Sequence, residues 1–547
     1  MTKVLPAGLS AAAFGSVLKE LEKATDKSCV LSGEDDLELY RDPYSLYWGE
    51  AEELRAAAVV QPRTVEEVQA VVRIANQRKF PLHPISAGKN LTYGGAAPTV
   101  NGSVIVDLKR MSRVLEVDDK RNFALVEPGV SYFDLYRHIQ EHQLQVWIDC
   151  PDTGWGSLIG NALEHGVGYT TSPFRDHFGA HCGMEVVLPT GELVRTGMGA
   201  LPKANSWQDY RYGVGPYVDG LFAQSNFGIV TKMGFWLMPR PEAWLSGTAA
   251  VANYSDFQKL IEYVNYFEDA EIVNGKPAYR SPPFHRYEGT LPSAQPRSDI
   301  GPLMANGWPS LQDINRHAGL HGGPCWAVDL LFYGPDRVIR ANWEYAQEQI
   351  HRIPEATTQE NAYFSLPLTP EQERTQHRVT FGIPNLDLLQ LSAQQISRNE
   401  LHSPGQGHVD FLAVVPRTAD AVIAAQRVIY ETQRSLGLPT TATPFNAPIA
   451  WHHRSFLVGA PTVALYQGDP QRNRKARELL RAYVTNMAAA GFGAYRINPA
   501  MQDLLAAQYS FNDGSLLRLQ ERLKQAIDPQ GIISPGRYGI WPRSTRR

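Results

Sequence analysis

Residues 148–197 read IDCPDTGWGSLIGNALEHGVGYTTSPFRDHFGAHCGMEVVLPTGELVRTG. Four glycines, Gly154, Gly156, Gly160 and Gly166, punctuate the first part of this stretch. Glycine at that density permits positive φ and close backbone approach. Small donors and acceptors, Ser157 and Asn161, stand among them with a carboxylate, Asp152. The composition suits a large, flat, polar-edged ligand held by main-chain N–H groups; an ordered turn network is the competing reading. Next come MEVVLP, a Thr190-Gly191 turn and ELVRTG, which predict a hairpin.

Upstream, AAAVVQPRTVEEVQAVVRIANQRKFPLHPISAG predicts strand, helix, strand. Thr64 is placed to cap the helix, with Glu67 at the capping-box position. Val65, Val68, Val71, Val72 and Ala75 share its apolar face. The second strand delivers the chain to another glycine-rich loop, GKNLTYGGAAP. That loop is neither GxGxxG nor a Walker motif. Its amides and Lys89 could still cradle a pyrophosphate; a tight turn before a strand is the plainer alternative. Short strands SVIVDL, RVLEVD and FALVEPGV follow, then a helix SYFDLYRHIQEH. LSAAAFGSVLKELEKAT near the N-terminus predicts a helix capped by Ser10.

The middle of the chain predicts helices in DFQKLIEYVNYF, PDRVIRANWEYAQEQIHRI and TADAVIAAQRVIYETQRSLG, the last ending at Gly437. CWAVDLLFYG is a strand. Residues 280–322, rich in Pro, Gly, Arg and His, are expected to form a long loop. Strands alternating with helices suit a sheet covered on one face.

With 547 residues, two domains are expected. Hydrophobic and charged residues, 43% and 20%, are in ordinary globular proportion. A net charge of −4 leaves no basic footprint, so nucleic acid is not a favoured partner. Four scattered cysteines, Cys29, Cys150, Cys182 and Cys325, form no CxxC, so neither a disulfide framework nor a zinc site is suggested. The sequence shows no signal-peptide pattern and no apolar run long enough for a membrane span, so the expectation is a cytoplasmic, reduced protein.

A set of ordered motifs carries a resemblance. PRTVEEVQAVVRIAN, PISAGKNLTYGGAAP, VEPGVSY, PDTGWGSLIGNALEHGVGYTTSPFRDH, HCGMEVVLPTGELVRTGMGALP and GVGPYVDGLFAQSNFGIVTKMGFWLMP resemble the vanillyl-alcohol oxidase and p-cresol methylhydroxylase family of flavoproteins. So do GAYR and DPQGIISPGRYGIWP near the far end. The resemblance implies an α+β, two-domain flavoprotein whose FAD-binding domain is split between both chain ends. It implies residues 1–242 and 491–547 for that domain, and an inserted α+β substrate (cap) domain at 243–490. Proline-flanked MPRPEAW is a reasonable crossing point.

The resemblance also implies a chemistry. The family oxidises para-substituted phenols at the benzylic carbon: substrate binds as phenolate, hydride passes to flavin N5, and a quinone methide results. Tyr93, Tyr495 and Arg496 fall at the phenolate-binding positions. Neighbours on an extended strand point oppositely, so Tyr495 and Arg496 need a bend to share one target. Asp152 matches the catalytic aspartate, and Tyr169 a pocket tyrosine. Ser86, Gly88, Lys89, Asn90, Pro151, Gly156, Ser157, Gly160, Asn161, Gly228, Ile229, Val230 and Arg537 fall in the cofactor-binding motifs. His408, in PGQGH, sits where many members attach FAD covalently. The sequence departs in four places: the residues after His408 lack the family's aromatic–Ser/Ala–Pro pattern, no histidine precedes His83 to match the family's helper histidine, Asp410 replaces an aromatic pocket residue, and Arg454 an aliphatic one. If Asp410 and Arg454 both line the pocket near the para side chain, they pair with each other or meet a polar substrate side chain; exposure of both is the competing reading.

The leading expectation is thus FAD-dependent oxidation of 4-alkyl, 4-allyl or 4-hydroxymethyl phenols, with oxygen as acceptor and a homodimeric or larger assembly. A cytochrome-coupled dehydrogenase is the second reading. A flavoenzyme for non-phenolic substrates is the third, and a non-catalytic flavin binder the fourth.

Overall fold

Thr64 starts the first helix the sequence predicts: its side chain accepts from the Glu67 amide, 3.3 Å away, and the helix runs Val65–Arg78. The Glu67 carboxylate reaches the Arg63 amide at 2.6 Å rather than the Thr64 amide of a capping box. Val68, Val71, Val72 and Ala75 are buried, as the 3.6-residue period demands. The structure, a computed structural model, describes residues 4–151, 153–281, 286–288, 291–295, 301–320, 323–376, 378–387, 408–438, 448–452, 454–460, 463–465 and 468–543.

The flanking strands Ala58–Val60 and Leu82–Ile85 lie parallel on either side of Val104–Asp107, and Val30–Leu31 extends the sheet antiparallel. The far end of the chain joins this unit. Leu82 donates to the Ile532 carbonyl at 2.7 Å, and Ser534 donates back to Leu82 at 2.8 Å. Ile532 and Ile533 enter the same apolar core as Val60, Val71 and Val106. The buried Lys524 ammonium fixes the return, bonding the carbonyls of Asn226 and Ile533 and the Asp528 carboxylate at 2.6–2.8 Å. A second, five-stranded antiparallel sheet runs Val114–Asp118, Phe123–Val126, Ile229–Trp236, His181–Val187, Leu193–Arg195. Its last pair is the expected hairpin, turning at Gly191 with φ 80°.

The middle of the chain builds a four-stranded antiparallel sheet in the order Ala278–Arg280, Trp326–Gly334, Ala243–Val251, Thr357–Ser365. Helices Phe257–Asp269, Asp336–Ile350, Ala419–Ser435 and Pro470–Ala489 contribute to its core, where Phe257 stacks on Trp326 at 3.8 Å. Leu46, Ile497, Met501 and Leu505 join that core from outside residues 243–490.

The predicted loop at 280–322 is a correction. Its described residues include strands Arg286–Glu288 and Leu291–Gln295 and helices Gly301–Met304 and Leu311–Leu320. Ser310 caps the last helix through the Asp313 amide, and Ile314 and Ala318, one turn apart, are buried. Pro and Gly density masked that pattern. Among the described residues no helix is long and apolar enough to cross a membrane.

Candidate active site

The opening stretch folds as a cradle. Ser157 caps the short helix Leu158–Leu163 by accepting from the Gly160 amide at 2.9 Å. A Cβ at Gly160 would stand 2.2 Å from the Ser86 hydroxyl, so only glycine lets the two glycine-rich loops touch. At Gly156 a Cβ would meet nothing within 4 Å; there the backbone faces open space. Beneath the loop, buried Asp149 accepts from the Thr170 amide at 2.7 Å and pairs with His177 Nε2 at 2.8 Å. His177 Nδ1 in turn meets Asn161 Oδ1 at 2.5 Å and the Tyr132 hydroxyl at 3.0 Å. This network fixes the loop from behind.

The two loops wall a cavity of about 370 Å³. Ser86, Gly88, Lys89, Asn90, Pro151, Gly156, Ser157, Gly160 and Asn161 line it from the cradle, and Gly228, Ile229 and Val230 from the second sheet. Arg537 closes one side, its guanidinium bonded to Glu164, whose other oxygen accepts from the Tyr538 hydroxyl at 2.5 Å. Burial opposes the charge on Arg537, but Glu164 and Tyr538 leave its pKa raised. His83 also lines the cavity, its pKa lowered to about 3 by burial and then by Arg537, so it stays neutral.

At another wall stand Tyr93, Tyr169, His408, Asp410, Trp451 and Arg496. Residues 493–495 run along the strand Leu412–Pro416, through Val414 N to Gly493 O and Tyr495 N to Leu412 O, both 2.8 Å. The chain bends at Tyr495, and the Arg496 guanidinium then lies 4.2 Å from the Tyr93 ring centre and 4.7 Å from that of Tyr495. Arg496 Nε is buried and has no hydrogen-bond partner among the described residues. Burial would lower the Arg496 pKa, yet the Tyr495, Tyr93, Tyr538 and Glu164 oxygens leave it raised. Burial also lifts the Tyr93 and Tyr495 phenols above their ordinary range.

Residues 56–197 match the family described as "FAD binding domain". Over 546 residues the chain is 30% identical to the 4-cresol dehydrogenase (hydroxylating) flavoprotein subunit of Pseudomonas putida, covering 98% of each. The chain belongs to the vanillyl-alcohol oxidase and p-cresol methylhydroxylase family. Solved structures of that family superpose on it. The 4-ethylphenol oxidase of Gulosibacter chungangensis, in complex with isoeugenol, matches with a TM-score of 0.81 and 32% identity over 99% of this chain and 100% of its own. Substrate-bound p-cresol methylhydroxylase matches with a TM-score of 0.79 and 27% identity over 98% and 99%.

As a family member the protein is an FAD-dependent oxidoreductase. Its cavity fits that cofactor. Glycine-rich backbone lies along two walls, Gly156 leaves room for a ligand edge, and Lys89 and Arg537 supply cations for a diphosphate.

Two expected residues, Arg454 and Tyr495, stand elsewhere. Arg454 does not join Asp410: its side chain is 76% exposed and pairs with Asp269 at 2.9 Å. It sits just before the strand Ser455–Gly459, where a guanidinium keeps its hydration. Tyr495 is not among the cavity-lining residues; its hydroxyl donates to the His165 carbonyl. Asp152 lies outside the described residues. Its neighbour Thr153, and Thr92 beside Tyr93, both line the cavity at positive φ, 82° and 62°. β-Branched residues pay strain there, which concentrates at functional sites.

Sequence reasoning missed Trp451, Lys276 and Glu164. The Lys276 ammonium lies 4.1 Å from the Tyr169 ring centre and 5.3 Å from that of Trp451. Arg175 holds Trp451 from below, its Nε donating to the Trp451 carbonyl at 2.8 Å while Nη2 meets buried Glu268 at 2.6 Å. The AWHHRSF segment drew attention to its charge when its tryptophan was the cavity residue.

Proposed function

We propose that the protein oxidises 4-alkyl, 4-allyl or 4-hydroxymethyl phenols at the benzylic carbon, binding them as phenolates at Arg496 and Tyr93. The observation that carries this reading is the Arg496 guanidinium, which lies against two tyrosine rings at the cavity with a buried Nε that has no partner among the described residues. A charged donor in that setting favours an anion over a neutral oxygen. The relative from Pseudomonas putida is by name a 4-cresol dehydrogenase and the structural neighbour a 4-ethylphenol oxidase, both of para-substituted phenols.

When bound, FAD supplies the hydride acceptor. Arg496 and Tyr93 stabilise the phenolate and so favour loss of hydride from the benzylic carbon of the para substituent, which leaves a quinone methide. Tyr495 backs the guanidinium with its ring, and Tyr169 bounds the cavity beside Trp451. Asp152 handles the proton, and water adds to the quinone methide or a side-chain proton is lost. Residues 1–242 and 491–547 carry the cofactor on this reading, residues 243–490 cover the substrate, and His408 binds the flavin covalently. Oxygen takes the electrons. A separate electron-accepting partner is the second reading, favoured by the relative's name as a flavoprotein subunit of a dehydrogenase.

Anaerobic mixing with 4-ethylphenol and with its methyl ether tests the reading. The phenol should bleach the flavin and the ether should not; equal rates would remove the phenolate site.

A further inference from the structure

Asp410 is a carboxylate on the cavity wall that also holds Tyr93 and Arg496, and the expected partner Arg454 is at the surface. The strand His408–Val409 sets its direction. Val409 is fully buried on the core side, whereas His408 and Asp410, two residues apart, both line the cavity. Asp410 Oδ2 lies 3.6 Å from His408 Nε2, and the His408 ring meets Tyr44 edge-on at 5.1 Å. Glu164, a second described carboxylate on the wall, is engaged by Arg537 and Tyr538.

Asp410 stands two residues before Leu412, whose carbonyl accepts from the amide of Tyr495, the neighbour of Arg496, and it lines the same cavity as Tyr93 and Arg496. Its charge adds to burial in raising the Tyr93 hydroxyl, and follows burial and Asp42 in raising that of Tyr44. Tyr93 is the ring on which Arg496 lies. A phenolate seated at Arg496 therefore has a cation on one side and a carboxylate close by. Two anions at such close quarters repel unless a proton sits between them. An ionised carboxylate offers about four lone-pair sites, so it accepts more than one donor.

We propose that Asp410 is a specificity-determining residue that recognises a hydrogen-bond donor ortho to the phenolate oxygen, directing the enzyme to para-substituted catechols over their methoxy counterparts. The ortho hydroxyl donates to the carboxylate and leaves the phenolate to Arg496. A methoxy group at the same carbon offers only a lone pair to a carboxylate. This inference rests on the phenolate reading above and deepens it.

Calorimetric titration of the FAD-loaded enzyme with catechol and with guaiacol tests it. Neither carries a benzylic carbon, so binding is read without turnover. Catechol should bind at least about tenfold more tightly, the effect of one charge-assisted hydrogen bond. D410N should bring the ratio within about twofold, and D410S should do the same if the amide disturbs folding. Flavin reduction by 4-ethylcatechol and 4-ethylguaiacol should show the split in half-saturating concentration more than in limiting rate. A wild-type ratio near one, or a ratio that survives both substitutions, overturns the proposal. If 4-ethylphenol fails to reduce the flavin, the phenol-oxidase reading falls on separate grounds.

Discussion

The Arg496 guanidinium carbon lies 4.2 Å from the centre of the Tyr93 ring, a cation on an aromatic face inside the cavity wall. The stacking orients the fork without using its N–H donors, and Nε, which has no partner among the described residues, is left for an incoming oxyanion. Arg496→Met should slow anaerobic flavin reduction by at least about tenfold, the loss of one charged hydrogen bond. Arg496→Lys should rescue little, because an ammonium reproduces neither the stack nor the fork. Stopped-flow traces indistinguishable from the parent would remove Arg496 from the site.

Asp152→Ala should damage the reduction rate far more than substrate affinity. A positioned acid–base group contributes about 10²–10⁴-fold. A variant that keeps its FAD and its rate would reduce Asp152 to a turn residue.

Acid precipitation should leave yellow colour on the protein, and His408→Ala should release it to the supernatant. Complete loss of flavin from the unmodified protein would rule out a covalent bond at His408.

Arg454→Ala should change neither the phenol preference nor the reduction rate. Its exposed pair with Asp269 is worth about 0–1 kcal/mol. A change in side-chain preference in a phenol panel would return Arg454 to the pocket.

Buried Asp42 sits under the second glycine-rich loop, accepting from the Tyr44 amide at 2.9 Å. Burial raises its pKa from 3.8 to about 6. The folded state thus holds this proton more tightly than the unfolded chain. The associated stability is fully present below pH 3.8 and is lost as pH rises through about 6. Asp42→Asn keeps the acceptor and removes the titration. The variant should gain on the parent between those pH values, by on the order of 3 kcal/mol at most. Parallel melting curves across that window would contradict the assignment.

The local chemistry of this fold was readable wherever cause and effect lie within a turn or two. Thr64 before a Val-rich period announced its helix, and Thr190-Gly191 its hairpin. The helix Leu311–Leu320 escaped because its apolar pair is short and its surroundings look like loop. At the site, glycine-rich walls were legible because backbone approach demands glycine. Glu164 was not, because its meaning comes from Arg537 and Tyr538, far along the chain. Arg454 was misread because charge alone does not say whether a side chain faces a cavity or water. Lys276 has no signal of its own; only the fold brings it over Tyr169 and Trp451.

The strand-like return at Ile532–Ser534, clamped by Lys524, sets an order of events during biosynthesis. Ser534 and Arg537 form part of the cavity wall, so the wall is incomplete until the ribosome has released them. The cavity wall is therefore complete only after translation has passed these residues, however early the first sheet folds. A chain interrupted before residue 532 would carry both glycine-rich loops and still present an open trough.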